Sequence, residues 1–390
     1  MDKTGFRNMI DRRDFLRVSG VCAGCTLLPI STDNSLSKLF GLSGIARANE
    51  IDRETLREAE FYIKHEAREI ECQLCPRKCL VGDKERGYCG VRENMDGKYY
   101  TLVYNNICSA NVDPIEKKPF FHFLPGTYAF SIATAGCNLN CKFCQNWQIS
   151  QFRPEQIKNF RMTVEDIASA ATQYNCRSIA YTYSEPIIFY EYMRDCAIEG
   201  NKENVVSVMI TAGYIEKEPL EKLLPHLAAV KIDLKSFREK YYDEICSGKL
   251  KPVLDSLVVI KESGKWLEIV YLMVPTLNDE PAEISNLCDW IMRELGPDVP
   301  VHFTRFHPQY LLKDLPPTPV ESLETAYKIA RDKGINYPYV GNVYGHYGED
   351  TYCSGCGEAI IKRSGFRIDR NEIENGACKK CGRAIPGVWS

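Results

Sequence analysis

Between residues 130 and 306, short apolar runs rich in β-branched residues recur, each followed by a stretch of helical periodicity. No other feature constrains the fold as much. The runs cover 130–134, 178–183, 205–211, 229–234, 267–274 and 301–306. Most are near-continuously apolar, as strands covered on both faces must be. Between them, Thr163 is the predicted N-cap of a helix carrying Ile167 and Ala171. Pro186 opens a helix running towards Ile198, and further helices are predicted over 218–224, 254–262, 283–295 and 320–332. Six strand–helix units in succession imply an α/β fold whose parallel sheet, with right-handed crossovers, curls into a partial (β/α)6 TIM-like barrel. A doubly wound open sheet is the alternative.

The chain has 390 residues, room for two or three domains. Its net charge of −3 argues against a broad nucleic-acid surface or a polybasic membrane patch. No apolar run reaches the roughly 20 residues of a membrane span. Eighteen cysteines, many in C-x2-C pairs, point to metal and iron–sulfur ligation, not to a secreted disulfide scaffold.

Arg12 and Arg13 precede Phe15, Leu16 and a mildly apolar run, and Ala46-Arg47-Ala48 has the small-x-small form of a leader-peptidase site. This reads as a twin-arginine-like leader over 1–48, implying export to the periplasm. If the leader is not functional, as an uncleaved amphipathic helix, a cytoplasmic location follows. Cys22 and Cys25 lie inside it and are read as small apolar residues. The remainder divides into a cysteine-rich module over 49–118, a barrel over 119–345 and a second cysteine-rich module over 346–390. Modules this short usually need a metal to hold together.

Directly after the first predicted strand comes GCNLNCKFCQNW, residues 136–147, with Cys137, Cys141 and Cys144 within eight positions. The loop sits at the C-terminal rim, where parallel barrels carry their chemistry. Three cysteines can each bind one iron of a [4Fe–4S] cube, leaving the fourth iron open, and an open position marks a reactive metal site. By spacing alone, a zinc site completed by a distant His, or a cluster completed by Cys108, would also serve. The C-x3-C-x2-C spacing, with Phe143 just before the last cysteine, resembles the signature of radical S-adenosylmethionine (radical SAM) enzymes. The resemblance implies an enzyme whose cluster is chelated at its open iron by SAM. Reductive cleavage of SAM then gives a 5′-deoxyadenosyl radical that abstracts hydrogen.

Other rim residues follow from that resemblance. YTYSEP ends the second strand where the family carries a glycine-glycine-glutamate-like segment, so Glu185 is expected to hold the SAM amino group, with Tyr183 and Ser184 in place of glycines. Thr211 in ITAGY is expected at the ribose or carboxylate, although Ala212 stands where close relatives carry an asparagine. In KIDLK, Asp233 is expected near the SAM carboxylate and Lys235 in the cavity. In HFTRFHP, His302, Thr304 and Phe306 share a face, while Arg305 and His307 lie near the rim as candidates for a substrate carboxylate or a proton relay.

Cys353, Cys356, Cys378 and Cys381 form two knuckles around a strand-rich spacer, suited to a zinc-ribbon-like site or to redox iron. Cys72, Cys75, Cys79 and Cys89 offer four more thiolates, for structural Zn2+ or an auxiliary iron–sulfur cluster, with zinc narrowly preferred. Cys176, Cys196, Cys246 and Cys288 read as buried free thiols. From about Cys72 to Trp389 the chain resembles the AmmeMemoRadiSam-system radical SAM enzymes, relatives of pyruvate formate-lyase activating enzymes, through ECQLCPRKC, EKKPFFHFLPGT, the cysteine loop, HFTRFHPQYLL and CKKCGRAIPGVW. The resemblance implies AMMECR-like and Memo-like partners and a reductant such as flavodoxin or ferredoxin. A glycyl-radical activase, or a non-catalytic electron carrier or metal-stabilised scaffold, are the alternative functions.

Overall fold

The computed structural model describes residues 56–390; the twin-arginine motif, the cleavage site after Ala48, Cys22 and Cys25 lie outside the described residues. The chain's main sheet has eight strands: β1 (Ser109–Pro114), β2 (Tyr128–Ala133), β3 (Ser178–Tyr181), β4 (Val206–Thr211), β5 (Ala229–Asp233), β6 (Trp266–Met273), β7 (Val301–Arg305) and β8 (Pro338–Gly341). They lie side by side in chain order. β1 runs antiparallel to β2, with Val112 opposite Phe130, and β2 to β8 are all parallel. A doubly wound sheet reverses its strand order at a switch point. Here every step goes the same way, so right-handed crossovers put the helices on one face, as in a barrel. β1 and β8 are the two ends of the sheet, so the barrel is partial, as the sequence implies.

Two differences from the sequence reading have plain causes. β8 is a seventh parallel strand that the hydrophobic pattern does not reveal, because it is four residues long and opens with Pro338. Proline is tolerated at the first residue of an edge strand, where no ladder donor is needed. β1, expected within the N-terminal module, instead extends the barrel sheet. The rest of that module forms two small antiparallel sheets, one of Arg57–Glu58, Lys98–Thr101 and Arg92–Met95, the other of Tyr62–Lys64, Ile70–Cys72 and Leu80–Val81.

The longer helices are α1 (Val164–Gln173), α2 (Tyr190–Lys202), α3 (Lys217–Leu223), α4 (Leu250–Glu262), α5 (Pro281–Glu294) and α6 (Val320–Asp332). Thr163 caps α1 as expected: its hydroxyl accepts from the Asp166 amide at 3.2 Å and the Asp166 carboxylate accepts from the Thr163 amide at 2.8 Å. Pro186 starts a 3₁₀ turn to Phe189 before α2 begins at Tyr190. No helix among the described residues is long and apolar enough to cross a membrane.

The segment 115–124 plugs the barrel's interior. Phe120, Phe123 and Leu124 pack on Ala129, Ala180, Val208, Ile210 and Ala229 from four neighbouring strands. Fully buried Glu268 anchors this plug, accepting from the amides of Phe121 (3.0 Å) and His122 (2.9 Å), from Trp266 Nε1 (2.9 Å) and from His302 Nε2 (2.7 Å). The C-terminal module locks it from outside. His122 Nδ1 donates to the Pro386 carbonyl at 2.7 Å, so its Nε2 accepts from the Tyr339 hydroxyl at 2.6 Å. Tyr339 in turn accepts from Thr351, which accepts from Arg363. Burial pushes the His122 imidazole down to about 4, which keeps it neutral in this chain of bonds.

Candidate active site

Past β2 the chain turns at Gly136, whose φ is +95°. A Cβ there would stand 2.6 Å from the Cys89 carbonyl oxygen and 2.7 Å from Val91 Cγ1, so only glycine fits. The following cysteine loop is held on three sides. Asn140 and Lys142 donate amide hydrogens to the carbonyls of Cys246 and Ile245, both at 2.9 Å. Asn138 Nδ2 donates to the Tyr214 carbonyl at 2.8 Å. The loop after β7 returns to cover it, with the Leu311 amide on the Lys142 carbonyl at 2.9 Å and Tyr310 stacked on Trp147 at 5.3 Å. Phe143 is buried beside Tyr241.

The thiols of Cys137, Cys141 and Cys144 lie within one another's electrostatic reach. Burial pushes Cys137 and Cys144 up, the latter despite a 3.2 Å contact with the Ser150 hydroxyl. Cys141 is held below the ordinary thiol range by a hydrogen bond from Cys246, and Lys235 reinforces this against burial. The sulfurs are not gathered tightly: among the described residues, only the C-terminal cysteines form a set of three or more ligand atoms all within 4.8 Å of one another. Cys108, the candidate fourth ligand, instead points its thiol at the Ala133 carbonyl.

The ends of β3 and β4 meet beside this loop. Glu185 accepts from the Thr211 hydroxyl, from the Ala212 amide at 2.9 Å and from the Ile187 amide at 3.2 Å. Burial still raises its carboxyl above the usual range. Tyr183, standing where the family has glycine, keeps a left-handed backbone with φ +65°, a costly conformation for a bulky residue. It is locked there by a hydrogen bond from its hydroxyl to Asp113 and by the Lys118 ammonium 4.3 Å over its ring. Its carbonyl accepts from Asn146 Nδ2 at 2.9 Å, tying this turn to the cysteine loop. The Ser184 hydroxyl is buried without a partner among the described residues.

At the end of β5, Asp233 bridges Lys231 and Lys235, the latter at 3.5 Å. Burial works against its charge, but the two ammonium groups outweigh it and hold the carboxyl below its ordinary range. Lys235 likewise stays cationic, because Asp233, helped by Cys141, outweighs burial. The sequence reading did not single out Lys231, Asp113, Lys118 or Cys246 for this site. Arg305, at the end of β7, spends its Nε on the Thr318 carbonyl at 2.8 Å, and His307 is exposed. Among the described residues, neither is hydrogen-bonded to Glu185, Asp233 or Lys235.

A family model described as the Radical SAM superfamily matches residues 131–288, which span β2 to α5. The chain is also 45% identical over 332 residues to uncharacterized protein MJ0808 of Methanocaldococcus jannaschii, covering 85% of this chain and 99% of that protein. Residues 131–288 form a radical SAM domain. Among solved structures, this radical SAM protein is similar to a radical SAM methyltransferase from Sphaerobacter thermophilus (16% identity, TM-score 0.45, 60% of this chain and 71% of that one). It is also similar to a domain of a pyruvate-formate lyase-activating enzyme from Bacteroides vulgatus (14%, 0.38, 42% and 99%).

This domain makes it an enzyme of the radical SAM class and implies a [4Fe–4S] cluster and SAM. The radical SAM residues present fit both groups. Three buried or half-buried thiols spread over one loop suit separate irons, and the orphaned Ser184 hydroxyl beside Glu185 lacks only a polar ligand.

The C-terminal cysteines form a compact tetrad, with Cys353 Sγ 3.6 Å from Cys381 Sγ and Cys356 Sγ 3.8 Å from Cys378 Sγ. Each knuckle turns on a left-handed glycine, Gly357 and Gly382, both at φ +73°. This group could hold one metal ion.

Proposed function

We propose that the chain reductively cleaves SAM at the Cys137–Cys141–Cys144 loop and abstracts hydrogen from a protein or protein-bound group, as an AmmeMemoRadiSam-type enzyme. The observation that carries this reading is the convergence of that loop with Glu185, Thr211 and the Ala212 amide at the rim of a parallel barrel. When bound, the cluster and SAM supply a 5′-deoxyadenosyl radical. The protein's part is to place and shield them. Glu185 and the Ser184 hydroxyl are set to take the SAM amino group, and Lys235 with Lys231 to face its carboxylate across Asp233. Tyr310, Trp147 and Phe143 close the loop off from water, where a stray hydrogen donor would quench a radical.

In this reading the C-terminal tetrad holds zinc, since its sulfur separations match a tetrahedron around one ion. A low-potential donor of the flavodoxin or ferredoxin type supplies the electron, and AMMECR-like and Memo-like proteins are the partners, both supported by sequence resemblance. Export after Ala48 belongs to the same proposal and is tested by the mass of the native N-terminus. The central test is release of 5′-deoxyadenosine by anaerobically reconstituted protein given SAM and a reductant. Wild-type release with none from Cys144→Ala supports the proposal, and equal release from both sinks it.

A further inference from the structure

Cys72, Cys75, Cys79 and Cys89 surround one apolar cavity, completed by Leu74, Tyr99 and Ile188. Every thiol of the four lies in electrostatic reach of the other three. The Tyr88 amide donates to Cys79 Sγ at 3.5 Å, and the backbone amides of Leu74, Arg77 and Val91 favour charge on Cys72, Cys75 and Cys89 against the effect of burial.

Their spacing distinguishes them from the C-terminal tetrad. Four sulfurs around one zinc at its usual bond length stand about 3.8 Å apart, the edge of the tetrahedron. Cys353–Cys381 and Cys356–Cys378 meet that value, at 3.6 and 3.8 Å. Among the described residues no three of the N-terminal thiols fall within 4.8 Å of one another. In this they match Cys137, Cys141 and Cys144. A ring of thiolates too wide for one ion, yet enclosing one cavity, suits a cluster in which each sulfur takes its own iron.

An orphaned donor points the same way. Arg92 is fully buried; its Nη2 bonds Glu191 at 2.5 Å and its Nε donates to the Ile188 carbonyl at 3.2 Å, but its Nη1 has no partner among the described residues. The Cys72 and Cys89 thiols lie within this guanidinium's electrostatic reach. A buried N–H left unpaired is costly, and a cluster sulfide or a cluster-bound thiolate is the acceptor that the setting lacks. Position adds a further constraint. The Cys89 backbone packs directly on Gly136, and Cys89 and Cys137 line one open cleft of about 890 Å³.

We propose that Cys72, Cys75, Cys79 and Cys89 hold a second cluster of the [4Fe–4S] type, with Arg92 Nη1 donating to it, set immediately behind the Cys137 loop. The site stands independently of SAM chemistry at that loop. The test uses the full chain carrying Cys137→Ala, Cys141→Ala and Cys144→Ala, rebuilt anaerobically with iron, sulfide and zinc. This leaves the N-terminal module untouched. The expected result is about four irons and four sulfides per chain, against about eight of each in wild type, with a reduced paramagnetic signal that SAM does not alter. In wild type the two reduced clusters are expected to broaden each other's signals, as close neighbours do. A triple variant that takes up no iron and an extra zinc overturns the proposal. As a second reading, Cys75→Ala with Cys89→Ala is expected to halve the iron while keeping the SAM-responsive signal; iron unchanged in that variant also overturns it. A wild type without any SAM-responsive signal, beside an iron-loaded triple variant, would sink the proposed function and leave this site standing.

Discussion

The hydroxyl of Thr211 donates to the carboxylate of Glu185, joining the end of β4 to the turn that leaves β3. The Ala212 amide donates to the other carboxylate oxygen, so both oxygens face donors. In Glu185→Gln one of those donors would meet an NH2 group. SAM affinity is expected to fall about 10- to 100-fold, the worth of about 1.5–3 kcal/mol for a hydrogen bond to a charged group. Iron content should be unchanged. Equilibrium binding of SAM checks this, and wild-type affinity in the variant would remove Glu185 from the site.

Gly136 is the hinge of the cysteine loop, and alanine there faces two penalties. Its left-handed φ disfavours any Cβ, and the Cys89 carbonyl occupies the space. Gly136→Ala is expected to lose about 2–4 kcal/mol of unfolding free energy in urea. It should also assemble less iron on the Cys137 loop, read by iron analysis after reconstitution.

A pH dependence follows from Glu268. Burial would raise its carboxyl, but hydrogen bonds from His302 Nε2 and the Phe121 amide hold it below the ordinary range. A carboxylate with a depressed folded-state value stabilises the fold above its unfolded value, about 4.3, and loses that contribution as pH falls through the folded value. Glu268→Gln is therefore expected to lose about 2–4 kcal/mol at pH 7, because it leaves buried donors unmatched. The gap between variant and wild type should narrow as pH falls below about 4. Urea unfolding of both proteins at matched iron content and ionic strength measures the gap.

For the C-terminal tetrad, Cys356→Ser is expected to remove about one metal ion per chain. The two knuckles sit beside the Pro386–His122 and Val388–Leu124 contacts that hold the barrel plug. Loss of the ion should expose the segment from Lys379 to Arg383 to trypsin, while SAM-responsive iron stays. Metal analysis and timed proteolysis report the two effects separately.

Much of this architecture is legible along the chain because it depends on local pattern. Strands buried on both faces show as apolar runs, and Thr163 shows as the cap of a helix. β8 escapes detection because four residues beginning with Pro338 carry too little pattern. The cysteine loop is visible because its three thiols lie within eight positions. Lys118, Asp113, Cys246 and Arg92 are not, because each acquires its role through a distant partner. Asp113 meets Tyr183 70 positions away, and Arg92 meets Glu191 99 positions away.

By itself, then, the sequence determined which side chains could ligate metal and that strands and helices would alternate around a parallel sheet, since both follow from residue type and short-range spacing. The tertiary structure alone decided how far apart the sulfurs stand. A C-x2-C pair reads the same whether it serves one ion or a cube of irons, because the gap between two such pairs is set by how separate segments pack. At Cys353 and Cys378 that packing leaves room for a single ion, whereas the ring from Cys72 to Cys89 stands wider, against the back of Gly136.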